Sequence, residues 1–222
     1  MVEKALFAWS GGKDSALALR EILANGEFEI AALLTTVTAD YDRISMHGVR
    51  RALLERQADS LGFPLEIVPI TKNSSNEEYE ASMRSVLTKH LVAGVSSVAI
   101  GDVFLEDVRQ YRENNLAKMG MRAVFPLWGR DTLKLAHTFI DLGFEAIITC
   151  VDSKALDKRF VGRLFDVQFL SDLPSTVDPC GENGEYHSFV YDGPIFRNKV
   201  EHTVGEVVLR DNRFYYCDLV PR

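Results

Sequence analysis

Cysteine is scarce and unpaired in this chain of 222 residues: Cys150, Cys180 and Cys217 stand far apart, and no Cys-x-x-Cys pair serves zinc or dithiol chemistry. Cys150 and Cys217 lie in apolar, strand-like runs and read as small buried hydrophobes, while Cys180 has no basic neighbour in sequence to mark it as a nucleophile. No apolar run approaches the ~20 residues that span a bilayer. The stretch Ala5 to Trp9 is too short for a signal peptide and leads directly into a glycine turn, so a cytoplasmic protein with no membrane partner is expected. An excess of positive charge is also missing. With 25 Lys and Arg against 32 Asp and Glu the net charge is -7, which disfavours a broad nucleic-acid surface. A local basic cluster remains at Arg109, Arg112, Lys118, Arg122 and Arg130. Internal repeats and low-complexity tracts are absent. What is left, 46% apolar and 26% charged, is the composition of a soluble globular protein long enough for one large domain or two small ones.

The most informative stretch runs from Phe7 to Leu19, where an apolar strand enters Ser10-Gly11-Gly12-Lys13-Asp14-Ser15 and continues as a helix. Successive glycines let the backbone approach an anion closely, and the first N–H groups of the helix point at the same place with the positive end of its dipole behind them. Lys13 adds a full charge and Ser10 and Ser15 add hydroxyl donors. A Walker A loop is excluded, because it needs a glycine five residues before Gly12, where Phe7 stands.

Lys4 to Trp9 reads as a buried strand, Asp14 to Asn25 as its helix stopped by Gly26, and Ile30 to Thr36 as a second strand. Parallel strands joined by helices place ligands at the carboxyl ends of the strands. Thr35 leaves the second strand at that edge, and Met46 and His47 follow. Met46 either lines an adenine pocket or packs beneath a helix that runs from His47 to Leu61 behind a Ser45 cap. Leu65 to Ile70, flanked and interrupted by Pro64 and Pro69, reads as an edge strand. Ser75-Asn76-Glu77-Glu78 has capping-box spacing for a helix ending at Ala93. A fourth strand, Ser97 to Gly101, returns to the ligand edge, where Gly101 permits close approach and Asp102 either binds magnesium or caps the next helix. That helix, Glu106 to Met119, carries Arg109 and Arg112, spaced to form a clamp for phosphate or carboxylate or else an ordinary solvated face. A short strand at Ala123 to Leu127, a helix from Thr132 to Leu142 and a strand from Glu145 to Val151 follow. The tail ends in a hairpin turning at Asp211-Asn212. The fold class is α/β: a parallel-sheet, Rossmann-like N-terminal domain over residues 1–125 and a smaller α+β domain over 126–222.

A second constellation, Gly181 to Ser188, packs two glycines, Glu182, Glu185, Tyr186 and His187 into eight positions. A strand from Glu185 to Tyr191 would put Glu185, His187 and Phe189 on one face. A carboxylate beside an imidazole suits substrate orientation, ammonia deprotonation or a metal contact.

Ser10 to Ser15, Pro126-Leu127-Trp128 with Arg130-Asp131, and Cys180-Gly181-Glu182-Asn183-Gly184-Glu185-Tyr186 running on to Asp192-Gly193-Pro194 keep one order and spacing. Together they resemble the diphthine-ammonia ligase family of the ATP pyrophosphatase superfamily, whose fold is adenine nucleotide alpha hydrolase-like. Asn183 stands where that family more often has glycine. The resemblance implies an AMP-forming ligase that adenylates a carboxylate acceptor with ATP and then amidates it with free ammonia. It implies magnesium at Asp14, a pyrophosphate cradle at Ser10, Gly11, Gly12, Lys13 and Ser15, and elongation factor 2 carrying diphthine as the partner. Trp128, Tyr186, Glu182 and Glu185 would meet the quaternary cation of diphthine. A homo-oligomer is compatible with this reading. Two alternatives stay open: adenylation of a tRNA base or another metabolite, and a nucleotide-sensing module that binds ATP or AMP without turnover.

Overall fold

Leu6 and Phe7 are neighbours in sequence and fully buried on opposite faces of one strand, which is how this chain builds two layers around a sheet. The computed structural model describes residues 2–222. The strand is β1 (Glu3–Ala8), and it pairs in parallel with β2 (Phe28–Thr38) and β5 (Ser97–Ala99). β5 pairs in parallel with β6 (Arg122–Val124), and β4 (Leu65–Ile70) pairs in parallel with β2 alone. The edge position of β4 explains how Pro69, which has no N–H to donate, is tolerated within it.

The helices take the positions their caps and periodicity dictate. α1 (Lys13–Asn25) ends at Gly26 in the left-handed conformation. α3 (Asn76–Val92) starts with a complete capping box, in which Glu78 N–H donates to Ser75 Oγ at 3.2 Å and Ser75 N–H donates to Glu78 Oε2 at 2.8 Å. Leu87 of α3 and Leu116 of α4 (Glu106–Ala117) cover Leu6, Ala32, Val68 and Val98 on one face of the sheet. The opposite face packs Phe7 and Leu33 against Leu17 of α1 and Leu53 of α2 (Arg51–Leu61).

That second core continues into the rest of the chain, through Phe139 of α5 (Thr132–Asp141), Phe169 of α6 (Val167–Asp172), and Ile147 and Phe189 of a second sheet. This sheet is antiparallel, with β7 (Glu145–Asp152) between β8 (Tyr186–Asp192) and β10 (Phe214–Pro221), and β9 (His202–Arg210) at its edge. Asp211 and Asn212, both at φ 50, make the tight turn between β9 and β10.

The structure departs from the periodicity reading in two places that matter for the site. The expected helix from His47 begins at Arg51, because residues 43–50 form a reversing loop. A two-residue strand β3 (Arg43–Ile44) turns back antiparallel on the end of β2, and Met46 and Gly48 take left-handed φ of 66 and 68, which ends any helix there. Ser45 therefore caps nothing; its hydroxyl lies 3.1 Å from that of Thr38. The expected strand at Ala123 to Leu127 stops at Val124, and Trp128 lies in the turn that follows. No helix among the described residues is long and apolar enough to cross a membrane.

Candidate active site

The turn between β1 and α1 is built by contacts from three directions. Gly11 has a φ of 76, and a Cβ there would stand 2.6 Å from the side-chain oxygen of Gln57. Gln57 is fully buried in α2, donates to the carbonyls of Gly11 at 3.0 Å and Val190 at 2.6 Å, and accepts from the Trp9 indole at 3.0 Å. Val190 N–H donates in turn to the Gly11 carbonyl at 2.9 Å. β8 is thus stitched onto the glycine turn rather than hinged above it.

The donors at the start of α1 are capped by hydroxyls. Gly12 N–H donates to Ser10 Oγ at 3.2 Å and Lys13 N–H to Ser188 Oγ at 3.1 Å, while Ser15 Oγ donates to the Gly12 carbonyl at 2.8 Å. The Lys13 side chain is buried. Its ammonium donates to Asp14 Oδ2 at 2.9 Å and to the Cys180 carbonyl, and lies 5.0 Å from the centre of the Tyr186 ring. Burial works most strongly against this charge, yet Asp14, Cys180 and Glu182 together outweigh it, and the ammonium is held above its ordinary range.

A cavity of about 440 Å³ opens at the carboxyl ends of β1, β2 and β5. Of the residues singled out from sequence, Ser10, Gly12, Lys13, Asp14, Ser15, Thr35, Met46 and Gly101 line it, as do Asp102, Arg112, Glu182, Tyr186 and His187. One wall is acidic. Glu182 accepts from Val103 N–H at 2.7 Å, and burial, reinforced by Asp14, pushes its carboxyl up to about 7. Asp102 is raised by burial as well, although Arg112 stands 2.7 Å away. A hard divalent cation beside a phosphate-type loop would favour the ionised form of such buried carboxylates, taking one or two of them together with phosphate oxygens. No group of three or more His, Cys, Asp or Glu among the described residues is arranged to hold a metal by itself.

Also on the cavity, His47 and His187 lie with ring centres 4.6 Å apart and planes tilted by 38°. Burial pushes His47 down to about 4, and burial with His47 and Lys13 nearby pushes His187 well below its ordinary value, so both are neutral imidazoles. His47 Nδ1 lies 3.3 Å from the Ser188 carbonyl, which makes it the donor, and His187 Nε2 is buried with no partner.

The structure arranges several of these residues otherwise than expected. Glu185 precedes β8 and turns away from His187, accepting from Asp178 N–H and from the Asn183 side chain, each at 3.0 Å, so it braces the 178–183 loop. Arg109 and Arg112 form no clamp: Arg112 pairs with Asp102, while Arg109 binds Glu113 at 2.8 Å and covers the face of Trp128 at 4.5 Å. That guanidinium occupies the aromatic surface expected to meet a substrate cation, and Trp128 is outside the cavity. Gly101 lines the cavity, but a Cβ there would press at 3.1 Å on the backbone of Asp14 and Ser15, so its bareness serves the packing of β5 against α1. Gly11 does not line the cavity.

Gln57 and Ser188 were not singled out from sequence. Gln57 had a signal: it interrupts the buried stripe Leu53, Leu54, Ala58, Leu61 of α2, where a polar side chain needs buried partners.

The diphthamide synthase N-terminal domain model matches residues 3–123 and the diphthamide synthase C-terminal domain model matches residues 131–218. Diphthine-ammonia ligase of Danio rerio is 28% identical over 224 residues, covering 91% of this chain and 88% of that protein. The human protein of the same name is 26% identical, covering 90% of this chain and 83% of its own. The Schizosaccharomyces pombe protein of that name is 26% identical over 92% of this chain, which spans only 38% of that relative's length. Among solved structures, the U34-tRNA thiolase NcsA from Methanococcus maripaludis is similar over 64% of this chain at 17% identity and a TM-score of 0.38, a distance at which the likeness bears on neither site nor activity. With both domain models matched in order over almost all of its length, the chain belongs to the diphthamide synthase family.

Proposed function

We propose that the chain is an ATP-dependent, AMP-forming amide ligase whose acceptor is the carboxylate of diphthine on elongation factor 2. The observation that carries this reading is one cavity with a phosphate-type loop and buried lysine on one side and raised carboxylates on the other. Relatives named diphthine-ammonia ligase support diphthine as the acceptor, and elongation factor 2 as its carrier rests on the family resemblance. A cytoplasmic setting follows from that acceptor.

In the first step an acceptor carboxylate oxygen bonds to the α-phosphorus of ATP and the bond from that phosphorus to the bridging oxygen of the β-phosphate breaks. Pyrophosphate leaves carrying the charge. The Lys13 ammonium, fixed by Asp14, the Cys180 carbonyl and Tyr186, and the proton of the Ser188 hydroxyl are placed to receive it, while Gly12 N–H, Lys13 N–H and the hydroxyls of Ser10 and Ser15 join only by exchanging their bonds within the turn for phosphate oxygens. Asp14, with Glu182 or Asp102, would hold magnesium, which when bound neutralises charge on the phosphates. In the second step ammonia attacks the acyl carbon, its carbon–oxygen bond to AMP breaks, and one proton leaves nitrogen. The attacking nitrogen becomes strongly acidic as it bonds, so a weak base suffices, and His187 with its unpartnered Nε2 is the group available. Glu185 serves this step only by bracing the loop that carries Cys180 and Glu182.

The test is one incubation with magnesium-ATP, ammonium and diphthine-bearing elongation factor 2, reading nucleotides by chromatography and the factor by intact mass. AMP and amidated factor in equal amounts is the expected result. ATP binding with neither product formed would remove diphthine as the acceptor and leave the nucleotide site standing.

A further inference from the structure

The loop that carries Met46 and His47 into the cavity is held in place from outside it. Residues 43–50 leave β2, reverse through left-handed Met46 and Gly48, and close on themselves where Arg43 and Arg50 bridge before α2 begins. Ile44, Ser45, Met46 and His47 all face the cavity from this loop. Its shape receives little help from the Met46 side chain, which is 63% exposed. A left-handed methionine persists only where its surroundings impose that conformation.

The surroundings are supplied by β10. Asp218 accepts from Arg43 Nη1 at 2.9 Å and from Arg50 Nε at 3.1 Å and Nη2 at 2.7 Å, so one carboxylate ties together both ends of the loop. Arg43 Nη1 also donates to the Gly48 carbonyl at 2.7 Å, which extends the tie to the second turn residue. Tyr216, two residues before Asp218 and therefore on the same face of β10, presses its ring against Gly48, where a Cβ would stand 2.6 Å from the ring. The bidentate geometry to Arg50 fixes direction as well as distance. Neither Asp218 nor Tyr216 lines the cavity.

We infer that Asp218 is a positioning residue for the nucleotide, acting through Arg43 and Arg50 to hold the 44–49 loop in the shape that presents Met46 and His47 to the cavity. This rests on reading the cavity as the ATP site. The C-terminal sheet then reaches the nucleotide twice, directly through Ser188 and indirectly through Asp218.

The experiment compares Asp218→Asn, which keeps the shape and removes the charge, with the parent and with Asp172→Asn, which removes the Arg163 pair at 2.8 Å far from the loop. ATP affinity is read by calorimetry and backbone amide exchange by mass spectrometry. Asp218→Asn is expected to weaken ATP binding about tenfold, the scale on which remote positioning contacts act. Exchange should quicken at residues 44–49 while β7 and β8 stay protected, and kcat at saturating ATP should hold near the parent value. Asp218→Glu should recover part of the affinity, and Asp172→Asn should leave it unchanged. The inference is overturned if Asp218→Asn binds ATP as the parent does, or if exchange rises across the whole C-terminal sheet and not at the loop. Should Asp218→Asn fail to fold, Arg50→Lys keeps the charge, gives up the bidentate fork and carries the same expectations. A parent chain that binds no ATP would instead overturn the reading of the cavity, and the exchange pattern alone would then decide whether Asp218 clasps the loop.

Discussion

The N–H of Lys13 donates to the hydroxyl of Ser188 at 3.1 Å, across 175 residues of chain. The phosphate-type loop is therefore completed by a residue of the second sheet. Ser188→Ala leaves that buried N–H without a partner and should cost about 1–3 kcal/mol of stability. It should also weaken ATP binding, because the hydroxyl that accepts from Lys13 keeps its own proton free for a phosphate oxygen. Urea denaturation and calorimetry check the two effects, and unchanged ATP affinity would remove Ser188 from the cradle.

Asp14→Ala is expected to abolish AMP formation and also to lower the melting temperature, since the buried Lys13 ammonium keeps the Cys180 carbonyl but loses its carboxylate partner. Normal turnover in this variant would sink the magnesium role assigned to Asp14.

Glu185→Ala should act mainly on stability. Removing the carboxylate frees both Asp178 N–H and the Asn183 amide, and a loss of about 1–3 kcal/mol is expected. Product formation should fall through disorder of the loop that presents Glu182. A stability equal to the parent with lost activity would return Glu185 to a chemical role.

The carboxyl of Glu182 is pushed up to about 7 by burial and by Asp14, so folding takes up a proton there between its ordinary value of 4.5 and 7. That contribution is present at low pH and is lost as pH rises through 7, where the folded state must hold a buried charge. Glu182→Gln keeps an acceptor for Val103 N–H and cannot ionise. Without nucleotide it should melt at a higher temperature than the parent above pH 7 and show no gain at pH 5. A gain that is equal at both values would show that the charge is not responsible.

Asn183 stands where the family more often has glycine, yet it takes no left-handed φ; its amide is spent on Glu185. Glu185 stands one position outside the strand that the alternation predicts for it. Because β8 begins at Tyr186, the alternation that would have set Glu185 beside His187 does not extend to it.

The sequence by itself determined whatever depends on near neighbours: the glycine turn into α1, the capping box at Ser75 and Glu78, the edge strand with Pro69, and the hairpin turn at Asp211 and Asn212. Those features are set by backbone sterics and by hydrogen bonds within a few residues, so their residue types announce them. Only the tertiary structure decided which groups share the cavity. Lys13 with Ser188 and Arg50 with Asp218 are separated by 175 and 168 residues, and nothing in local periodicity relates them. The same holds for Arg109, whose guanidinium chose Trp128 and Glu113 over the cavity. Side chains of that length reach several alternative partners from one backbone position, and packing of the two sheets around their common core selects among them.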